Sequence, residues 1–167
     1  TLEISMRHAQ TIVITWASAV ANKARMDFYE ANDDVIEGYQ HLTTLDGKAS
    51  DICISRSLKK WSVDKKPIGH DMPFRQPPLH FRCRSLLTVI LKYSSDFPKG
   101  TQSSDMGYLP REYNFNDYLK LQSIEKQNAI LGVGRADLWR SGKITLSDLV
   151  NQQGRTLSIR ELKAIKN

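Results

Sequence analysis

Apolar residues recur at intervals of three and four from Ala9 to Ala31, at Ile12, Val13, Trp16, Val20, Ala24 and Phe28. That spacing puts them on one stripe of an α-helix, with Ser5 as its N-cap and Asn32-Asp33-Asp34 as its stop. Such a stripe ordinarily faces a core, so Trp16 is expected inside. Beyond the helix the period shortens to two. Tyr39 to Leu45 is predicted as a strand closed by the turn pair Asp46-Gly47, and "DICISRSL" (51–58) as another. "RSLLTVILKY" (84–93) carries the strongest strand signal, because Leu86 to Leu91 is a short apolar run rich in β-branched residues. Between these two, Pro67, Gly69, Pro73, Pro77 and Pro78 exclude regular structure and predict a long structured loop.

Residues 94–113, rich in Ser, Gly, Pro and Asp, read as a linker. Behind it, Asn114 or Asn116 caps a helix carrying Phe115, Tyr118, Leu121 and Ile124, which Gly132-Val133-Gly134 interrupts near Leu131. "RADLWRSG" predicts a second short helix ended by Gly142. "TLSDLV" and "TLSIREL" each open with Thr and set Asp or Glu in the first turn, where negative charge favours a helix N-terminus. Leu138, Trp139, Leu146, Leu149, Leu157 and Leu162 give these helices small apolar faces that must pack on something. The expected fold is α+β: a long N-terminal helix packed on a small antiparallel sheet with a long Pro-rich loop, followed by a short-helix C-terminal tail. The expected division is a domain over 1–93, a linker over 94–113 and a helical extension over 114–167.

Charge changes this picture in the middle of the chain. The net charge of the 167 residues is +6, yet residues 1–50 hold 4 basic and 7 acidic groups, residues 51–100 hold 10 and 4, and the remainder 10 and 7. The central excess makes Lys59, Lys60, Lys65, Lys66, Arg82 and Arg84 candidate contacts for a polyanion such as DNA. The plainer reading of "SLKKWSVDKK" is a solvated lysine-rich loop. No apolar run approaches the roughly 20 residues that a membrane span requires, so no membrane partner is expected. "TLEISMRHAQ" lacks the pattern of a secretion signal, which points to cytoplasmic synthesis. Two cysteines, Cys53 and Cys83, are too few for a disulfide framework and are expected as thiols.

The densest chemistry lies in "PPLHFRCRS" (77–85). His80 and Cys83, with Cys53 upstream, are N and S donors of the kind that bind zinc. The set stops at three, with only His41, His70, Asp46 and Asp71 to supply a fourth ligand. No resident cofactor is therefore expected, with zinc on Cys53, His80 and Cys83 as the alternative. For catalysis there is no Gly-rich phosphate loop, no nucleophile elbow and no helical zinc-protease motif. A thiol and imidazole pair (Cys53 or Cys83 with His80) and a metal nuclease on His70, Asp71 and His80 are the enzymatic options. Neither is a complete constellation, so the expectation is a protein that is not an enzyme.

"TLDGKASDIC" (44–53) followed by "PPLHFRCRS" resembles the central signature of the phage Mu F-like, or minor head protein, family. Leu45, Asp46, Ser50, Cys53, Pro77, Pro78, His80, Cys83, Arg84 and Ser85 match its pattern. The long helix before it and "LGVGRADLWRSGKITLSDLV" after it are similar to that family's flanks. Ala49 stands where the family commonly has Thr, Leu58-Lys59-Lys60-Trp61 where it has Leu-Asp-Gly-Lys, and Arg7-His8-Ala9 where Arg-Thr-Glu is frequent. The resemblance implies a minor capsid protein of a phage or prophage, acting in head morphogenesis with portal or major capsid protein as partner and DNA near its basic segment. It would be found in the host cytoplasm during assembly and afterwards in the virion. The Pro-rich loop is expected to be tied to the domain by Asp46, Ser50, His80 and Arg84, with Asp46 and Ser50 hydrogen-bonding the "HFRCR" loop and holding the two segments together. The alternative is a metal-dependent nuclease or nucleotide-using transferase acting through His80, and a third reading is a sequence-neutral DNA-binding module.

Overall fold

A computed structural model describes residues 2–93 and 100–165. The chain is α+β, with a long N-terminal helix, a small antiparallel sheet and several short C-terminal helices. It divides into two compact units. Unit one holds the residues up to Leu42 and those from Lys59 to Tyr93; unit two holds Thr43–Leu58 and the residues from Gly100 on. These units do not follow the division 1–93, 94–113 and 114–167, because the first signature segment folds with the C-terminal helices.

In unit one, α1 (Leu2–Glu30) precedes β1 (Ile36–Leu42), β2 (Lys60–Ser62), β3 (Pro67–Ile68) and β4 (Leu86–Leu91). The sheet runs β3-β2-β1-β4, antiparallel throughout, with Tyr39 opposite Trp61 on one side and Val89 on the other. Tyr39 and Leu87 point to one face and pack with Met26 of α1, flanked by Tyr29, Phe74 and Val89. Each fully buried side chain of this size contributes about 1.5–3 kcal/mol. The Tyr29 hydroxyl also donates to the Leu87 carbonyl at 3.4 Å.

The helix meets this core with a face other than the one expected. Ile12, Val13, Trp16, Val20 and Phe28 stand 53–67% exposed, whereas Asn22 and Met26 are buried and Thr11, Thr15, Ser18 and Tyr29 are half-buried. Both faces satisfy a period of 3.6. The inward one is rich in short hydroxyl side chains that dock loop backbone, and apolar periodicity does not weigh those.

Trp61 also departs from the solvated-loop reading of "SLKKWSVDKK": it is fully buried on β2. Its indole donates to the Met72 carbonyl at 2.9 Å, and its ring lies edge-on to Phe74 and His70. A side chain at Gly38 would meet the Trp61 carbonyl at 2.3 Å, so only glycine lets β1 and β2 pair here.

In unit two, residues 51–58 are not a strand: α2 (Asp51–Ile54) occupies their first half. Ser50 sits in the extended N-cap conformation without a side-chain cap bond, and Asp51 stands in the first turn, where its charge favours the helix over the strand suggested by β-branched Ile52 and Ile54. Within the stretch read as a linker, β5 (Thr101–Ser104) and β6 (Gly107–Pro110) form a hairpin, and the Gln102 amide donates to the carbonyls of Pro110, Arg111 and Tyr113. Residues 94–99 of that stretch lie outside the described residues.

Then come α3 (Phe115–Lys120), α4 (Ile124–Leu131), α5 (Val133–Arg140), a 3-10 turn (Leu146–Leu149) and α6 (Ile159–Ala164). Capping boxes start three of these, at Asn114 with Asp117, Thr145 with Asp148, and Ser158 with Glu161. The cap of α6 is thus Ser158 and not Thr156. Phe115, Tyr118, Leu119, Leu131, Leu149 and Leu162 are buried together with Leu138 and Leu146, which answers the need of the short helices for a packing surface. Burial, followed by the hydrogen bond from its hydroxyl to Asp105, pushes the Tyr118 phenol well above its ordinary range.

The α6 cap yields a pH prediction. The hydrogen bond from Arg155, then the backbone and hydroxyl of Ser158, lower the Glu161 carboxyl from 4.5 to about 2. A carboxyl depressed in the folded state adds stability above its unfolded value and loses it as pH falls through the folded one. The start of α6 is therefore expected to fray as pH falls from 4.5 toward 2, and Glu161→Gln to abolish that dependence. Amide chemical shifts of α6 check it, and shifts that stay constant across this window contradict it.

Candidate functional site

The first signature segment lies in unit two. Leu45 is fully buried and forms a parallel bridge with Ser104, its carbonyl accepting from the Asp105 N–H. The Asp46 carboxylate accepts the Lys48 N–H at 2.9 Å, an Asx-type turn that reverses the chain ahead of α2. Ser50 departs from expectation. Its hydroxyl oxygen is buried and makes no hydrogen bond among the described residues, while its carbonyl accepts from Cys53 and Ile54 N–H to start α2. Cys53 is buried on that helix, with its carbonyl taking the Thr43 hydroxyl at 2.8 Å.

Contacts that no sequence pattern announced fix the segment within unit two. Asp51 binds Arg135 at 2.6 Å and accepts the Thr156 hydroxyl at 3.1 Å. Ser57 accepts the Phe115 N–H at 2.9 Å, at the entry to α3. These partners lie 58 to 105 residues apart in the chain. The residue types were visible, but the pairing depends on tertiary structure.

The second segment lies in unit one. Pro77 is buried, the Pro77-Pro78 peptide is cis, and Pro78 and His80 are half-buried. A turn closes from the Cys83 N–H to the His80 carbonyl at 3.2 Å, and the His80 Nδ1 lies 2.8 Å from the Phe81 carbonyl oxygen. Arg82 takes a left-handed backbone, φ +56°. From there its N–H donates to the Thr15 hydroxyl oxygen at 3.0 Å and its Nε to that of Thr11 at 2.8 Å. The Ser18 hydroxyl donates to the Cys83 carbonyl at 3.2 Å. Three successive turns of α1 thus hold the loop by its backbone and by one guanidinium. Cys83 and Ser85 are buried and lead straight into β4.

Among the zinc candidates, a ring nitrogen of His80 and the sulfur of Cys83 lie within 4.8 Å of each other in unit one. Cys53 belongs to the other unit. His70 is committed elsewhere: its Nδ1 accepts the Met72 N–H at 3.1 Å and its Nε2 donates to the Lys60 carbonyl at 2.8 Å. Both ring nitrogens then serve the backbone around Trp61, which removes His70 from the metal nuclease set with Asp71 and His80. His41 is fully buried on β1.

The basic stretch is unevenly available. Lys60 and Lys66 are exposed and Lys59 is half-buried. Lys65 pairs with Glu30 at 3.0 Å and lies 5.8 Å from the centre of the Phe74 ring. Arg82 and Arg84 are both exposed, and the Arg82 guanidinium is engaged by α1. Against family models, curated proteins and solved structures, the chain matches none. Among the described residues no helix is long and apolar enough to cross a membrane.

Proposed function

We propose that this protein is a minor head protein of a phage or prophage, working by assembly with portal or major capsid protein and not by catalysis. The observation that carries the reading is how the second signature segment is used. Thr11, Thr15 and Ser18 clamp its backbone to α1, and Ser85 enters the sheet buried. Residues of a chemically suggestive type are thereby spent on a rigid surface. The nuclease alternative loses His70 to the backbone. Exposed Lys60 and Lys66 leave DNA as a secondary contact, whose affinity would fall steeply with salt.

His80→Ala tests the division between scaffold and enzyme. The scaffold reading expects the variant to lose about 1 kcal/mol of stability, the net worth of one hydrogen bond, seen as a lower urea midpoint. An unchanged midpoint together with the loss of a nuclease or nucleotidyl-transfer activity present in the parent would overturn it.

A further inference from the structure

We infer that the outward face of α1 is an interface between two copies of this chain, packed helix against helix. At 100° per residue, Met6, Ala9, Val13, Trp16, Ala17, Val20, Ala24 and Phe28 fall on one stripe. It lies opposite the face carrying Thr15, Ser18, Asn22 and Met26. Val13, Trp16, Val20 and Phe28 are each 64–67% exposed, and Met6 and Ile12 are 59% and 53% exposed. Apolar positions repeated by threes and fours along a helix form the seam by which one helix packs on another.

Size and shape argue for a second copy. The exposed parts of two aromatic rings, two valines and a methionine on this stripe come to roughly 600 Å² on one helix. Two such faces together can hide at most about 1,200 Å², the size at which specific stable interfaces begin. The stripe is also self-complementary about a two-fold axis. With the helices antiparallel and the axis passing between residues 16 and 17, Trp16 of each copy meets Ala17 of the other. Val13 then meets Val20 and Ala9 meets Ala24, so the largest side chain sits on a small one. An isologous interface demands this kind of reciprocal matching. Lys23, Arg25 and Glu30 border the stripe with both signs of charge, and Asp27, which falls within it opposite Met6 of the other copy, is paired with Lys23, unlike the basic polar face that an anionic lipid surface selects.

Sedimentation equilibrium on the whole chain tests the inference. The expected result is twice the chain mass at micromolar concentration, with Trp16→Glu and Val13→Lys each weakening association about a hundredfold, as loss of a central anchor does. Far-UV circular dichroism should stay unchanged, since both side chains are exposed in the single chain. A chain that is monomeric throughout overturns the proposal. So does a dimer that both variants leave intact, because its interface then lies elsewhere.

Discussion

Trp61→Ala is expected to unfold unit one at urea concentrations where the parent chain is still native. Trp61 is the largest fully buried side chain and sits on the short strand β2, with Phe74 and His70 against its ring. Its indole N–H also satisfies the Met72 carbonyl. Truncation removes the packing, leaves a cavity and orphans a buried acceptor, a loss of about 3–5 kcal/mol. Domains have only about 5–15 kcal/mol in total. Urea unfolding followed by circular dichroism measures it, and a midpoint unchanged from the parent would refute the packing described for β2.

Phe115→Ala should produce a comparable loss in unit two, about 3–5 kcal/mol. Phe115 is fully buried at the first position of α3, edge-on to Tyr118 with ring centres 5.2 Å apart. Its N–H is held by Ser57, so the same residue joins the segment 43–58 to the C-terminal helices. Amide hydrogen exchange should show protection falling in α2 and α3 together. Loss confined to α3 would mean that the first signature segment does not depend on this anchor.

The elements legible from sequence are those whose signal is local. The strand Leu86–Leu91 announces itself by an uninterrupted apolar run, and the C-terminal helices by Asn, Ser or Thr three residues before an acidic side chain. At residues 51–54 tertiary contacts outweighed the local signal: Asp51, held by Arg135 and Thr156, stands in the first turn of a helix where the isoleucines suggested a strand. The hairpin of β5 and β6 hides in a composition typical of linkers, because its strands are polar and its stability comes from the Gln102 amide and the turn at Gly107. Trp61 hides among lysines for the converse reason, being a single inward residue on a three-residue strand.

The direction of α1 was the least legible. Its apolar stripe was visible, but a stripe records only that something covers it. The core instead took the face whose hydroxyls serve Arg82 and Cys83 across more than 60 residues of chain. In the two segments and the loop between them the residue types were legible and their employment was not. His70 became a backbone ligand, Ser50 a helix start, and Arg82 a clamp on α1.

The measurement that bears most directly on the proposed role is quantitative mass spectrometry of gradient-purified phage particles from the source of this chain, scored against portal and major capsid protein. The account predicts the protein in heads or proheads at a few copies per portal. Absence from both, with the protein free in the lysate, would contradict it.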